Sequence, residues 1–153
     1  MLHVTPPRKV NLQASWWMRR HCGNGETSNA GKTMNPGEAT GVAREYRALG
    51  LRIRADVGTP PDHIANELDF MAYLYDMEAN ALEECDEPSA HDWGTISLAF
   101  ARAHFSYPAQ LMARETLRLT EAPIHVFCAH LLDALACESL HGTSTSDGGY
   151  DDW

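Results

Sequence analysis

The segment Thr59-Pro60-Pro61-Asp62 constrains the fold of this chain more than any other stretch. Two consecutive prolines are tolerated at the start of a helix, because the first amide groups of a helix have no intrahelical acceptor. Asp62 stands three positions after Thr59, which is the spacing of a capping box. We therefore expect a helix from about Pro60 to about Glu84, and its inner face is predicted to carry Ile64, Leu68, Met71, Tyr75 and Leu82.

Two neighbouring helices are indicated by similar signals. Asn35-Pro36 can begin one, and Gly50 can end it. Another is predicted to begin near Pro88 and to end at Tyr107-Pro108, because a residue that precedes proline disfavours α geometry. The apolar residues of this helix recur three and four apart, at Trp93, Ile96 and Phe100.

The last part of the chain predicts two more helices. One follows Pro108, and the other is capped by Thr120 with Pro123 in its first turn. The final helix has an apolar stripe that should face the core, formed by Ile124, Phe127, Leu131 and Leu135. No convincing strand pattern is present, and short connections favour antiparallel neighbours. The predicted fold class is all-α, an antiparallel helical bundle.

The 153 residues suffice for one domain with a core of its own. We divide the chain into an irregular segment over residues 1–34, a helical domain over residues 35–140 and a flexible tail over residues 141–153.

The charge balance limits the possible partners. Twenty-one acidic residues against 12 basic ones give a formal net charge of −9, which repels a phosphate backbone. Nucleic acid is therefore not expected as a partner, whereas a basic peptide would be attracted. No apolar run approaches the roughly 20 residues that span a bilayer.

The cysteines and the N-terminal arginines indicate a reducing compartment. The four cysteines form no Cys-x-x-Cys pair, so we expect free thiols. Arg19 and Arg20 lead into His21-Cys22-Gly23 and not into an apolar run, so they do not resemble an export signal. The expected location is the cytoplasm.

Signatures of catalysis are incomplete. Gly31-Lys32-Thr33 resembles the end of a phosphate-binding loop, but Glu26 stands where the first glycine is required. Glu138-x-x-His141 has the spacing of a di-iron motif, yet such a site needs a second copy and two more carboxylates. We therefore expect no enzyme activity, no cofactor and no metal.

The strongest candidate for function is the group Asp62, His63 and Glu67 at the start of the long helix. The residues alone leave two interpretations open. Asp62 can be the partner in a capping box and His63 a half-buried imidazole, or the acidic groups can bind a ligand.

Four motifs resemble, in order, the TorD/DmsD/NarJ family of redox-enzyme maturation chaperones. Pro61-Asp62-His63-Ile64, followed by Glu67 to Met71, is similar to the family's Glu-Pro-Asp-His signature, although the acidic residue before the proline is absent. The other three are Tyr46-Arg47-Ala48-Leu49-Gly50-Leu51, Phe100-Ala101-Arg102-Ala103-His104 and Pro123-Ile124-His125. The resemblance covers about residues 42 to 136.

The resemblance implies a cytoplasmic chaperone. Such a protein would bind the twin-arginine leader, and the body, of a molybdopterin-containing oxidoreductase and hold it for cofactor insertion before export. Asp62 and Glu67 would pair with guanidinium groups. The residues implied to form the peptide-binding site are Pro61, Asp62, His63, Glu67, His104 and Tyr107.

Family members carry additional helices ahead of the signature, and this chain is short there. The resemblance therefore implies a homodimer with exchanged helices. Two alternatives remain open: a helical structural or interaction module that binds no client, and a helical metal protein built on His63, Glu67, His104 and His125.

Overall fold

The structure is a computed structural model that describes residues 12–14, 36–53 and 58–141. Over these residues the chain forms five α-helices and one π-helical turn. The helices are α1 (Pro36–Ala48), α2 (Ile64–Glu83), α3 (Glu87–Phe100), α4 (Ser106–Leu119) and α5 (Pro123–His141), and the π turn is Ala101–Phe105. The predicted all-α class is confirmed.

The helices pack as two hairpins, α2 with α3 and α4 with α5. The first hairpin turns at Cys85, which adopts a left-handed conformation with φ of 58°. Asp86 then caps α3, because its carboxylate accepts a hydrogen bond from the Ser89 amide at 3.2 Å. Such short connections place the two helices of each pair side by side.

The core is formed where α1 and α2 meet the π turn. Tyr46 lies with its ring centroid 4.6 Å from that of Phe70, and Phe70 lies 4.7 Å from Phe100 in an edge-to-face arrangement. The other large buried side chains of this cluster are Val42, Ile64, Met71, Leu74, Phe105 and Met112. The α1–α2 contact is therefore aromatic.

The predicted start of α2 was wrong. The helix begins at Ile64, and its N-cap is His63 and not Thr59. Thr59 pairs instead with the side chain of Asn66, whose Nδ2 donates to Thr59 Oγ1 at 3.1 Å. Asp62 is therefore not the third residue of a capping box, and Pro60 and Pro61 lie in the turn that precedes the helix.

The predicted inner face of α2 was wrong in part. Ile64 and Met71 are buried, but Tyr75 is 46% exposed and Leu82 is 57% exposed. The buried face is shifted, and its members are Ile64, Glu67, Phe70, Met71, Leu74 and Ala81. Most members of both sets are apolar, so the position of the neighbouring helices decides between them.

The helix predicted to end at Tyr107-Pro108 does not end there. One wide turn, Ala101–Phe105, carries the chain from α3 into α4 without a break. The Ser106 hydroxyl donates to the Ala101 carbonyl at 2.9 Å, and the Ser106 amide bonds the same oxygen five residues back. Pro108 lies buried in the first turn of α4, directly after the wide turn, and the helix continues past it.

The predicted stripe of α5 was wrong for three of its four residues, whereas Leu135 is partly buried against the core. Ile124, Phe127 and Leu131 are 63%, 64% and 50% exposed, whereas Ala129 and Ala136 are buried. Gln110 of α4 contacts Cys137 of α5 at 3.3 Å. Buried alanines allow α5 to approach α4 closely, so the large apolar residues are left on the outer face.

Among the helices that the structure describes, none is long and apolar enough to cross a membrane. The predicted Asn35 cap, most of residues 1–34 and residues 142–153 of the tail lie outside the described residues.

Candidate functional site

The site is built at the start of α2. His63 holds an extended conformation, with φ of −79° and ψ of 133°, and its Nδ1 accepts a hydrogen bond from the Ala65 amide at 3.2 Å. The side-chain amide of Asn66 donates to the Pro60 carbonyl at 2.7 Å. These two contacts fix the turn, and so they fix the direction in which the Asp62 carboxylate leaves the backbone.

Two carboxylates lie in the interior at this point. Asp62 and Glu67 each have 0% of their surface exposed, whereas Pro61 and His63 are half-buried. Acidic groups are rarely buried to this extent, because the charged form loses its hydration. Two buried acids at one helix start are therefore the feature that makes this turn the candidate site.

Tyr46 of α1 reaches this pair. Its hydroxyl donates to the Pro61 carbonyl at 3.1 Å. Burial raises the pKa of the Tyr46 hydroxyl above its ordinary value of 10.0, and the carboxylates of Glu67 and Asp62 act in the same direction. Tyr46 is therefore a neutral donor beside two acids, a role that the sequence did not indicate, because Tyr46 was singled out there only as the first residue of a family motif.

A short N-terminal segment covers the same turn. Gln13 and His63 form an antiparallel bridge. The Ala14 amide donates to the Asp62 carbonyl at 2.9 Å, and the Ile64 amide donates to the Leu12 carbonyl at 2.9 Å. Residues 12–14 are therefore joined to residues 62–64 by one isolated bridge at His63, which is flanked by these two hydrogen bonds.

His104 belongs to a groove on the other side of the aromatic cluster. Its ring centroid lies 5.3 Å from that of Phe100. The groove has a volume of about 320 Å³ and is mainly apolar. Its lining residues are Glu45, Ala48, Leu49, Phe70, Ile96, Ala99, Phe100, Ala103 and His104.

The six residues predicted for the site are only partly brought together. Pro61, Asp62 and His63 lie in the turn before α2, and Glu67 lies in the first turn of the helix. His104 lies in the groove, which is linked to that turn through Phe70 and Phe100, since both rings contact Tyr46. Tyr107 is 40% exposed and is not among the residues that line the groove.

The alternative of a metal protein requires that several metal-binding side chains lie close together. Within residues 12–14, 36–53 and 58–141, no three His, Cys, Asp or Glu side chains are grouped so that they could hold a metal ion. His63, Glu67, His104 and His125 are thus not assembled into one site there.

Comparison with known proteins decides the family. The model of the family described as nitrate reductase delta subunit matches residues 3–113, which is more than half of the chain. The chain belongs to the nitrate reductase delta subunit family. This is a family of chaperones that act in the maturation of molybdenum enzymes, as the sequence motifs implied.

The nitrate reductase delta subunit match includes α1 to α3, the π turn and the first half of α4. The match includes residues 3–41, which lie before the range of about residues 42 to 136 that the motifs cover. It ends before α5, so the resemblance noted for Pro123-Ile124-His125 lies outside it. No match was found among curated proteins or among solved structures.

Proposed function

We propose that this chain binds the twin-arginine leader of a molybdopterin-containing oxidoreductase in the cytoplasm and holds that enzyme for cofactor insertion before export. The observation that carries the proposal is the pair of wholly buried carboxylates, Asp62 and Glu67, at the start of α2 in a member of a maturation-chaperone family. Carboxylates in a water-poor environment bind guanidinium groups more strongly than exposed ones do.

Tyr46 adds to this preference for a cation. Its hydroxyl donates to the Pro61 carbonyl and stays neutral, so Tyr46 itself adds no charge that would offset the two carboxylates. The whole chain is acidic, with a net charge of −9, and this charge attracts a basic peptide from a distance.

The groove beside His104 offers an apolar surface to which the apolar part of a leader can bind. Leu49 of α1 and Ile96 of α3 line it together with Phe100. Its volume of about 320 Å³ suits a few apolar side chains of a peptide and not a large cofactor. An amphipathic leader segment would place its apolar face there.

Titration calorimetry tests the proposal with a synthetic leader from a co-encoded molybdenum enzyme. Asp62→Asn keeps the size of the side chain and removes its charge, and we expect it to weaken binding by about 2–5 kcal/mol. Asp69→Asn is the matched control, because Asp69 is an exposed acid on the same helix. Lysines in place of the two leader arginines should also weaken binding, because an ammonium group cannot replace a bidentate guanidinium.

Equal affinity of wild type, Asp62→Asn and Asp69→Asn for the leader would contradict the proposal. Thermal melts of the same three proteins separate a loss of binding from a loss of folding. If Asp62→Asn lowers only the melting temperature, Asp62 has a structural role, and the chain is a helical module of the family without this binding activity.

We also propose that a second copy of the chain covers the exposed stripe of α5, with or without exchange of a segment. Ile124, Phe127 and Leu131 recur three and four positions apart and are at least half exposed. Phe127→Gln should shift the protein towards a monomer in sedimentation velocity. Leu82→Gln, at an apolar residue of α2 that is 57% exposed, should not. A wild-type protein that is monomeric at micromolar concentration would contradict the proposal.

A further inference from the structure

Residues of α2, α3 and α5 line another cavity, which has a volume of about 550 Å³. It is separate from the start of α2, because Glu67 and the cavity residue Glu78 are eleven positions apart, which is about 16 Å along the helix axis. Asp62 and Glu67 are wholly buried, whereas Tyr75 and Glu138 of this cavity are exposed. Solvent, and therefore a ligand, can reach the cavity in the present conformation.

Two carboxylates line the cavity, Glu78 of α2 and Glu138 of α5. Both lie near the hydroxyl group of Tyr75, which forms a hydrogen bond with the Ser139 side chain. Burial raises the pKa of Tyr75, the hydrogen bond to Ser139 lowers it, and the two carboxylates raise it. Two acids from different helices therefore converge on one aromatic side chain.

The charge of these two carboxylates is not offset by the helices that carry them. The three helices hold nine acidic residues, five on α2, two on α3 and two on α5, and no lysine or arginine. Among the described residues that line the cavity, His91 is the one that can carry a positive charge. The field at the cavity therefore attracts a cation, and no lysine or arginine of α2, α3 or α5 competes with it.

The wall of the cavity on α3 contains a glycine inside the helix. A Cβ atom at Gly94 would lie 3.0 Å from Glu78 Oε1, closer than an ordinary van der Waals contact. Glycine inside a helix is less favourable than alanine, so an interior glycine usually has a packing or functional reason. Here Gly94 leaves space for the Glu78 carboxylate directly against the backbone of α3.

The lining of the cavity suits an arginine side chain. The carboxylates of Glu78 and Glu138 can accept hydrogen bonds from a guanidinium group. The ring of Tyr75 is 46% exposed and offers a face on which a guanidinium plane can stack. Leu98 and Leu135 add apolar surface for the methylene groups of the side chain. A compact, strongly hydrated ammonium group would use the aromatic face less well.

We propose that this cavity binds an arginine side chain of the molybdenum enzyme with which the chain acts, at a position outside the twin-arginine pair of the leader. The family supplies the kind of partner, and the cavity supplies the chemistry of the contact. The inference goes beyond the proposed function, which assigns the leader to the start of α2, because it adds a second site on the opposite part of that helix.

An NMR titration of the isotope-labelled wild-type protein with N-acetyl-arginine amide tests the site directly. The amide signals of Gly94 and Ser97 should shift until they saturate. N-acetyl-citrulline amide has nearly the same shape without the charge, and it should leave both signals unchanged at the same concentrations. The absence of saturable shifts, shifts confined to Ala65 and Asn66 at the start of α2, or equal shifts with the two compounds would overturn the proposal.

Glu78→Gln should weaken binding of the arginine compound at least about threefold, as expected for a partly exposed ion pair. Glu83→Gln is the matched control, because it makes the same change at an exposed acid of α2 that does not line the cavity. Glu138→Gln should act like Glu78→Gln and decides the question if Glu78→Gln does not fold. Equal effects of the cavity variants and Glu83→Gln would mean that only net charge matters, and the proposal would fail.

The source of the arginine is tested with the co-encoded molybdenum enzyme produced without its leader. Its affinity for the chain should fall at least about threefold with Glu78→Gln and should be unchanged with Glu83→Gln. No binding to the wild type, or equal binding to all three proteins, would overturn the assignment to this partner.

The synthetic leader separates this inference from the proposed function. Glu78→Gln should bind the leader as the wild type does, because the leader is assigned to Asp62 and Glu67. If the wild type binds the leaderless enzyme but not the leader, the proposed function fails and the cavity assignment stands. If Glu78→Gln weakens the leader as strongly as the leaderless enzyme, the two sites are not separate and the inference fails.

Discussion

The hydroxyl of Tyr46 and the carbonyl of Pro61 form a hydrogen bond of 3.1 Å that joins α1 to the turn before α2. Tyr46 is 4% exposed, so this bond is made away from water. The turn that carries Asp62 is therefore held from the side of α1 as well as by its own capping contacts, and the geometry of the site depends on two separate helices.

Tyr46→Phe should lower the free energy of unfolding by about 0.5–1.5 kcal/mol, because the Pro61 carbonyl loses its donor while the aromatic contacts remain. Chemical denaturation at neutral pH measures this change. Tyr73→Phe is the matched control, since it keeps the ring contacts of residue 73 with Phe70 and Trp93. An equal effect of the two variants would show that the Tyr46 hydrogen bond makes no particular contribution.

Tyr46 should also make the protein sensitive to alkali. Its pKa is raised by burial and by the nearby Glu67 and Asp62, so the folded state keeps a proton that the unfolded chain releases above about pH 10. The contribution of Tyr46 to the free energy of unfolding is complete below pH 10. It is lost as the pH rises towards the pKa of Tyr46 in the folded state, at about 1.4 kcal/mol per pH unit.

Denaturation of wild type and Tyr46→Phe between pH 9 and 11 checks this dependence. The variant should lose stability less steeply than the wild type. The variant still contains Tyr75, whose pKa is also raised by burial, so part of the dependence of stability on pH remains. Identical slopes for the two proteins would contradict the assignment.

Asp86 should stabilise α3 as its N-cap. The Ser89 hydroxyl and amide donate to its carboxylate at 2.6 and 3.2 Å and lower its pKa below the ordinary 3.8. Asp86→Ala should reduce the melting temperature at pH 7 by a few degrees. Because the pKa of Asp86 is lowered in the folded state, its stabilising contribution is present above pH 3.8. This contribution disappears as the pH falls through the pKa of Asp86 in the folded state.

The measurement for Asp86 is a series of thermal melts from pH 7 downwards. The difference between wild type and Asp86→Ala should shrink at the acidic end of the series. Asp92→Ala, at an exposed aspartate inside the same helix, should change the melting temperature less. A larger effect at Asp92 than at Asp86 would refute the capping role.

Two glycines around α1 should respond to alanine in opposite directions. A Cβ at Gly41 would lie 3.4 Å from His104 Cε1, an ordinary contact, so Gly41→Ala should raise the free energy of unfolding by about 0.5–1 kcal/mol through helix propensity. Gly50 has φ of +75°, which alanine adopts poorly, so Gly50→Ala should lower the free energy of unfolding by about 1 kcal/mol. Denaturant titration measures whether each variant is more or less stable than the wild type. A destabilised Gly41→Ala would mean that His104 cannot tolerate the added methyl group.

The sequence was a good guide where a local signal decides the structure. Pro36 begins α1 and Pro123 begins α5, as predicted. Gly50 has the positive φ expected of a residue that ends a helix. The signature at residues 61–64 also marked the turn that brings Asp62 and Glu67 into the interior, although it could not indicate that both are wholly buried.

Errors occurred where the answer depends on distant residues. Thr59 had a suitable partner in Asp62, but the contact between His63 and residues 12–14 lies about fifty positions away in sequence and sets the start of α2 instead. On α5 the largest apolar side chains suggested the core. The close approach of α4 selects the alanines instead, and neither helix reveals this alone.

The π turn at Ala101–Phe105 fixes the relative phase of the two hairpins. Each residue of an α-helix turns the chain by about 100°, so one residue more or fewer rotates everything that follows by that angle. Phe100 and Phe105, both buried, would point in different directions along an uninterrupted α-helix. Removal of a single residue from this turn would thus leave each hairpin intact while rotating α4 and α5 away from the aromatic cluster, so the chain is less tolerant of a one-residue deletion here than of most side-chain changes.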